Sequence, residues 1–165
     1  MKLYYLEHSG FMLDAGDTCY IFDYWKDEAQ VVKKAQAAGK VLWFFVTHWH
    51  GDHYSPAILD FNSPTTRYIV HTDVPHKDMP KERTTVMAVG DTTYVEDLKV
   101  TMYGSTDEGG SFLIDTGDAT IFHAGDLTGG IGSVIRRKIS TLLVILRPRN
   151  LNVLPASRRI LPCSR

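Results

Sequence analysis

The 165-residue chain is long enough for one domain and too short for two of ordinary size. Its composition, 44% hydrophobic and 22% charged residues with a net charge of −1, excludes a disordered or fibrous protein. Two cysteines are too few for a disulfide framework or a thiolate zinc cluster, and the longest apolar runs are far shorter than the ~20 residues of a membrane span. Because Glu7 interrupts any signal-peptide core, we expect a soluble, cytoplasmic protein that does not engage a membrane.

Short strands and one helix are predicted in the first third of the chain. Strands are expected at residues 3–6, 11–13 and 19–24. Asp27 and Glu28 open a predicted helix whose apolar positions recur at helical spacing until Gly39 ends it. Val41–Val46 is continuously apolar, which is typical of a strand covered on both faces.

Strand signals dominate after a short helix that begins at Ser55 and Pro56. Gly90-Asp91 and residues 116–118 have the composition of hairpin turns. The sequence therefore predicts an α+β fold in which one sheet packs on another, with helices outside. The strands are expected at residues 67–71, 84–89, 92–95, 99–103, 111–115 and 120–123.

Four side chains able to bind a metal lie within six residues, directly after the buried strand: His48, His50, Asp52 and His53. His48 and His50 alternate, so both leave the same face of an extended segment. Gly51 permits a sharp turn that brings Asp52 and His53 toward the same point. Imidazole and carboxylate ligands suit zinc, and also iron or manganese. Clustering behind a buried strand favours a metal site over scattered surface histidines.

This segment resembles the HxHxDH motif of the metallo-β-lactamase superfamily. Residues 6–11 resemble the opening of its UlaG-like branch, and residues 19–23 resemble the strand that ends in aspartate before the first helix. Residues 122–126 resemble the late strand that ends in the metal-bridging aspartate. The resemblance covers residues 1–127.

The resemblance implies an αββα sandwich with a dinuclear metal centre at the edges of the sheets. His48 and His50 would bind the first metal, Asp52 and His53 the second, and Asp126 would bridge both. The expected cofactor is Zn2+, two per chain, with Mn2+ or Fe2+ as alternatives. A hydroxide held between the metals would be the nucleophile, and Asp52 would act as the catalytic proton acceptor as well as a ligand.

The sequence departs from the family pattern at two ligands. The segment that usually supplies a third histidine to the first metal contains none, and Asp107 is the best substitute. Asp107 and Glu108 are equally compatible with ordinary turn acids. The final histidine expected for the second metal is also missing, because no histidine follows His123.

Other polar and aromatic residues near these segments are expected to play supporting roles. Asp23 is predicted to be a turn residue or to hold a ligand in place, and His123 to pack or hydrogen-bond near the site. Trp49, between two ligands, is expected to point away from the metals and into packing. His71, at the end of a predicted strand, and His76, after Pro75, are expected to be loop or surface residues and not ligands.

The last 38 residues contain eight basic side chains and no acid, whereas the first 127 contain ten basic and nineteen acidic side chains, a net charge of −9. We therefore divide the chain into a metallo-β-lactamase-like domain at 1–127 and an atypical basic tail at 128–165 without a clean strand. Residues 128–132 have codons that, read one base earlier, allow Asn-Trp-Trp-His-Trp. The related branch tends to be rich in Trp and His there, so a frameshift near Leu127 is one interpretation. A genuine basic extension is the other.

Together these features predict a metal-dependent hydrolase that acts on a small-molecule substrate, with an incomplete sandwich. One alternative is a metal-binding module that has lost catalysis. Another is a nucleic-acid-binding protein that uses the basic tail. The absence of a long Lys/Arg cluster near the motif disfavours nucleic acid as a partner. The sequence indicates neither the substrate nor the oligomeric state.

Overall fold

A computed structural model describes residues 1–106 and 108–126, together with the backbone of residues 143–146 and 152–155. These residues form two β-sheets that pack against each other, with helical segments on the outer side of the larger sheet. The strands are β1 (Lys2–Glu7), β2 (Gly10–Asp14), β3 (Thr18–Phe22), β4 (Val41–Val46), β5 (Thr66–His71), β6 (Thr84–Met87), β7 (Thr92–Val95), β8 (Leu98–Gly104), β9 (Gly110–Asp115), β10 (Thr120–His123), β11 (Leu143–Leu146) and β12 (Asn152–Pro155). The helix α1 is Val31–Ala37, and 3₁₀ helices cover Pro56–Phe61 and Lys81–Arg83.

The larger sheet has seven strands in the order β12-β1-β2-β3-β4-β5-β6, and the smaller has five in the order β11-β10-β9-β8-β7. Strands β3, β4, β5 and β6 are parallel neighbours, whereas the five-stranded sheet is antiparallel throughout. Because parallel strands end at the same edge of a sheet, the residues that follow β3 and β4 meet there. This edge carries the candidate site.

Two hydrophobic clusters occupy the two faces of the seven-stranded sheet. The cluster between the sheets contains side chains from both, and in it Phe45 stacks on Phe22 at 5.1 Å and meets Phe112 edge-on at 5.5 Å. The cluster on the opposite face packs against α1 through Val32 and Ala35. Strand β4 contributes to both clusters, because successive side chains of a strand point to opposite faces. Its apolar sequence is thereby explained, and the prediction that it is covered on both faces is confirmed.

The helix begins later than its sequence pattern predicts. Asp27 lies before α1, and its carboxylate accepts hydrogen bonds from the backbone N–H groups of Val31 and Val32 at 3.0 and 2.9 Å. Gln30 has a left-handed backbone with φ of 53°, which separates this turn from the helix. The cap predicted at Ser55 is confirmed, since its hydroxyl accepts from the N–H of Ala57 at 3.3 Å.

Two predictions about connections are wrong. Gly90-Asp91 is not a hairpin turn, because it joins β6 in one sheet to β7 in the other. The last 38 residues do contain strands: β11 pairs antiparallel with β10, and β12 pairs parallel with β1. An apolar run as short as residues 142–146 is ambiguous from sequence alone, and its place in a sheet is set by its partner strand.

The α+β fold class is confirmed. Two sheets lie face to face, and a helical layer covers the outer face of the larger one, so the described residues form three of the four layers of the expected αββα sandwich. None of the described helices has the length and apolar character needed to cross a membrane. The proposed division of the chain at residue 127 stays a prediction.

Candidate metal centre

A cluster of histidines and carboxylates lies at the edge of the larger sheet where β3 and β4 end. Asp23 follows β3, and Thr47 and His48 follow β4. Asp126 approaches the same edge from the other sheet, three residues beyond the end of β10. All four side chains are buried, and so is His53. Residues far apart in the sequence are thus brought to one point by strand ends.

Five of the six predicted ligand residues lie in this cluster. His48 Nε2 is 3.1 Å from His50 Nδ1, and His53 Nε2 is 3.1 Å from Asp126 Oδ1 and 3.9 Å from Asp52 Oδ2. One donor atom from each of His48, His53 and Asp126 lies within 4.8 Å of the other two. His50 and Asp52 are partly exposed at its mouth. That these side chains bind metal stays a prediction, but the structure brings them together.

Asp23 is the hydrogen-bonding hub beneath the cluster. It is fully buried, and its carboxylate accepts from the backbone N–H of Thr47 at 2.8 Å and from the Thr47 hydroxyl at 2.9 Å. Its Oδ2 also lies 2.8 Å from His53 Nδ1 and 2.7 Å from His123 Nε2. Burial raises the pKa of Asp23, but the two histidines outweigh this effect and hold that pKa well below its usual range. Asp23 is therefore an ionised group that orients other residues, which is the second of the two roles predicted for it.

The hub fixes which ring nitrogens of His48 and His53 face the cluster. His53 donates Nδ1–H to Asp23, so its Nε2, 3.1 Å from Asp126 Oδ1, is the nitrogen left to bind a proton or a cation. The single hydroxyl proton of Thr47 is donated to Asp23, so His48 Nδ1, 3.0 Å from that hydroxyl, is the donor to Thr47. His48 Nε2, 3.1 Å from His50 Nδ1, then carries a lone pair and no proton. Both rings are held in the tautomer that metal binding requires.

The charges around the two rings differ. Burial and the neighbouring His53 lower the pKa of His48, which favours the neutral, metal-binding form. Burial also lowers the pKa of His53, but the hydrogen bond to Asp23 and the charges of Asp23 and Asp126 outweigh it and raise that pKa. The surroundings of His53 therefore attract positive charge, whether a proton or a cation.

Glycines let the loops of the smaller sheet approach the motif closely. Gly109 has φ of +74°, and a Cβ there would overlap the carbonyl oxygen of Thr47 and contact His48. Gly125 has φ of +57°, and a Cβ there would lie 2.9 Å from the carbonyl oxygen of Gly110. The Gly110 N–H donates to the Thr47 carbonyl at 3.2 Å. Only glycine combines this backbone with such close contact, which positions Asp126 beside the histidines.

Sequence reasoning missed the role of the loop between β8 and β9. Asp107, the predicted substitute for the third histidine, lies outside the described residues. Its neighbour Glu108 is more than a turn acid, because its Oε2 lies 3.1 Å from Trp49 Nε1 and 3.2 Å from His50 Nε2. The prediction that Trp49 points into packing is wrong, because its side chain is 51% exposed. Its ring lies 5.1 Å from the ring of His50. The pairing of Trp49 with Glu108 holds it at the surface.

The remaining histidines lie around this centre or away from it. His123 hydrogen-bonds to Asp23, as predicted for a residue near the site. His8 packs against Trp25 with ring centroids 5.4 Å apart. Ser9, beside it, lies with its hydroxyl 3.4 Å from His53 Nε2 and was not singled out from the sequence. His71 ends β5 and pairs with Asp73 at 3.0 Å.

The donor set fits a divalent cation. Neutral imidazoles and a carboxylate are the common ligands of zinc and are also used by iron and manganese. His48, His53 and Asp126 provide this combination in a buried position. Nδ1 of each histidine is hydrogen-bonded to an oxygen, that of Thr47 or of Asp23, which leaves Nε2 as the nitrogen that can bind a cation. The cluster is therefore a candidate metal-binding group, and its donor set does not select one metal.

Known proteins share the fold of this chain. The family model described as beta-lactamase superfamily domain matches residues 2–145. The novel metallo hydrolase Igni18 of the archaeon Ignicoccus hospitalis superposes with a TM-score of 0.59 at 15% identity, over 76% of this chain and 60% of that one. A possible metal-dependent hydrolase from Veillonella parvula gives 0.53 at 11% identity, over 74% and 61% of the two chains. A metallo-beta-lactamase from Staphylococcus aureus gives 0.50 at 19% identity, over 74% and 42%.

At these identities the structural similarity shows the fold alone, and the chain spans less than two thirds of each of these proteins. No curated protein sequence matches the chain. The family match covers most of the 165 residues and includes the motif, Asp23 and Asp126. The protein therefore belongs to the family described as beta-lactamase superfamily domain, and it has the metallo-β-lactamase fold.

Proposed function

We propose that this chain is a metal-dependent hydrolase that acts on a small-molecule substrate. The observation that carries the proposal is the convergence of His48, His53 and Asp126, all buried, with donor atoms within 4.8 Å of one another. Burying such groups without a cation or full pairing is costly, and the surrounding acceptors hold the histidines ready for one. Metallo hydrolases among the similar structures support the reaction class.

We propose His48, His50, Asp52, His53 and Asp126 as the residues that hold the metal, with zinc as the expected ion and two per chain as the family resemblance implies. A divalent cation bound there supplies Lewis acidity, which polarises a carbonyl or phosphoryl oxygen. The protein itself orients the ligands through hydrogen bonds and buries His48, His53 and Asp126.

Asp52 is the residue we propose as the proton acceptor. Its side chain is about half exposed at the mouth of the cluster, 3.9 Å from His53 Nε2. A carboxylate in this position is close both to solvent and to the buried ligand atoms, so it can take a proton from water beside the metal position. The buried Asp23 is unsuited to this task, because its two oxygens already accept four hydrogen bonds from the protein.

A metal-binding module with one ion and little catalysis is the second candidate. Among the described residues, one compact group of three donors can hold an ion, which is fewer than two full coordination spheres need. The loop where the family usually has a third histidine contains none. One ion per chain without hydrolysis would favour this candidate.

The test measures metal and hydrolysis in the same preparations. The parent, His48→Ala and a control substitution at the exposed Asp97 are dialysed against zinc or manganese, and bound metal per chain is determined by elemental analysis. The same samples are assayed with general ester and phosphodiester substrates. We expect metal and hydrolysis in the parent and the control, with both strongly reduced in His48→Ala. A parent that hydrolyses substrates equally well after removal of all metal would contradict the proposal.

A further inference from the structure

Glu108 makes two contacts that link the β8–β9 loop to the metal-binding motif. Its Oε2 accepts a hydrogen bond from the indole N–H of Trp49 at 3.1 Å and lies 3.2 Å from His50 Nε2. Both partners belong to the motif, whereas Glu108 is 58 residues beyond His50 along the chain. The side chain of Glu108 is 57% exposed, so burial alone does not hold it there.

The backbone next to Glu108 explains why it lies in this position. Gly109 packs against the end of β4 so tightly that a Cβ would overlap Thr47, and Gly110 donates its N–H to the Thr47 carbonyl. The loop is thereby fixed against the strand that leads into the motif. The Trp49 indole then restricts the carboxylate to the side of His50.

The two ring nitrogens of His50 face different groups. Nδ1 lies 3.1 Å from His48 Nε2, on the side of the candidate metal position, and Nε2 faces Glu108. His48 Nε2 carries a lone pair because the other nitrogen of that ring donates to Thr47. A neutral His50 has one proton, so it can donate to His48 or to Glu108, but not to both.

We propose that Glu108 is a positioning residue that keeps the proton of His50 on Nε2 and leaves the Nδ1 lone pair for the metal. A hydrogen bond to a carboxylate is roughly twice as strong as one to a neutral acceptor, so the bond to Glu108 prevails over the bond to His48. Without Glu108, the proton moves to Nδ1 and blocks the metal-facing nitrogen. As a metal-binding effect, this inference rests on the proposed function.

The same geometry excludes Glu108 as a replacement for the missing third ligand. The carboxylate lies beyond Nε2, on the opposite edge of the imidazole from the nitrogen that faces His48. One ion cannot be bound by His50 Nδ1 and by a carboxylate hydrogen-bonded to Nε2 of the same ring. Glu108 therefore acts through His50.

The test reads the tautomer of His50 directly in the metal-free protein. Nitrogen NMR of ¹⁵N-histidine-labelled protein at about pH 9, where histidine side chains are ordinarily neutral, distinguishes protonation at Nδ1 from protonation at Nε2. His50→Gln identifies the His50 signals by their loss. We expect Nε2–H in the parent and a shift toward Nδ1–H in Glu108→Ala. Glu82→Ala is the matched control, because Glu82 is an exposed glutamate beside Arg83 in a separate 3₁₀ helix.

Zinc affinity, measured by competition with a chelator, provides the second readout. We expect zinc to bind roughly 10–100-fold more weakly to Glu108→Ala than to the parent, the range typical of lost partners of metal-binding histidines. Glu108→Gln, which keeps an acceptor oxygen, should recover part of the loss. Unchanged signals from His53 and His123, whose rings are hydrogen-bonded to Asp23 and not to His50, show that the fold is retained in the variants.

Three outcomes separate this inference from the proposed function. If the tautomer shifts in Glu108→Ala but the parent binds no zinc, the role of Glu108 in orienting His50 stands and the metal-dependent function fails. If the parent binds zinc, and Glu108→Ala matches Glu82→Ala both in the tautomer of His50 and in zinc affinity, the inference is overturned. Complete loss of zinc without a tautomer change would also overturn it, since that result indicates a direct ligand.

Discussion

Replacing Asp23 by asparagine tests whether the hub beneath the cluster is a structural requirement for the site. The substitution keeps the size and shape of the side chain but exchanges one acceptor oxygen for an NH2 group. All four groups that face the carboxylate are donors: the Thr47 N–H, the Thr47 hydroxyl, His53 Nδ1 and His123 Nε2. An NH2 group placed among them has no acceptor and leaves buried donors unpaired.

The magnitude follows from the bonds that are lost. The asparagine side chain in Asp23→Asn can satisfy the donors on one side only, so at least the two histidine bonds to Oδ2 are broken or weakened. Hydrogen bonds to a charged group contribute about 1.5–3 kcal/mol each, so we expect a loss of roughly 3–6 kcal/mol. For a chain of this size that corresponds to a fall in Tm of roughly 6–24 °C. The loss is comparable with the entire stability of many domains.

Urea unfolding of metal-free protein, followed by tryptophan fluorescence and circular dichroism, measures this loss. Asp97→Asn is the control, because Asp97 is exposed and such surface changes ordinarily alter stability by less than about 0.5 kcal/mol. If Asp23→Asn is no less stable than Asp97→Asn, the reasoning that the four donors depend on a buried carboxylate is refuted.

Three further substitutions or modifications test other parts of the structure. Gly109→Ala should lower the free energy of unfolding by more than about 2 kcal/mol, because the strain of a left-handed backbone is added to overlap with Thr47. Gly16→Ala is the control: Gly16 has φ of +102° and open space around it, so this substitution should show the backbone strain alone. Cys19 is buried, and burial together with the charge of Asp14 raises its pKa to about 12. In a variant whose only cysteine is Cys19, this thiol should react with a thiol reagent near pH 8 only as fast as the protein unfolds. Rapid reaction of the folded protein would contradict this expectation. Asp27→Ala should cost about 1 kcal/mol in urea unfolding, because two helix N–H groups lose their acceptor, and no change would show that the cap contributes nothing.

Much of the fold was predictable because it is encoded locally. The apolar residues of β4 indicated a strand buried on both faces, and the motif that follows it predicted the position of the histidines. Asp23 and Asp126 were predicted near the site from short segments that resemble the family, and the structure places both in the cluster.

The contacts of Glu108 and Ser9 were not predictable in this way. Each depends on a loop from a distant part of the chain approaching the motif, and neither belongs to a periodic pattern. The close approach at Gly109 requires knowledge of the backbone on both sides. Sequence patterns report local structure and burial, whereas these contacts are set by the packing of the two sheets.

The end of the chain was predicted least well. Its charge pattern led to the expectation of no clean strand, yet β11 and β12 extend the two sheets. The frameshift interpretation stays a prediction, and the encoding DNA tests it. A histidine and a normal mixture of acidic and basic residues in the neighbouring frame would support it, and stop codons within a few residues would contradict it.

The most direct test of the metal centre is the metal content of Asp126→Asn. Asp118→Asn, at an exposed aspartate, is the control. The parent and the two variants are equilibrated at the same zinc concentration, and zinc per chain is measured by elemental mass spectrometry. Asparagine keeps the shape and one acceptor oxygen but removes the negative charge beside His53. We therefore expect the variant to hold at least one ion fewer than the parent. The control should match the parent. Equal zinc in all three proteins would mean that Asp126 is not a ligand and that the buried cluster is not a metal centre of the kind described.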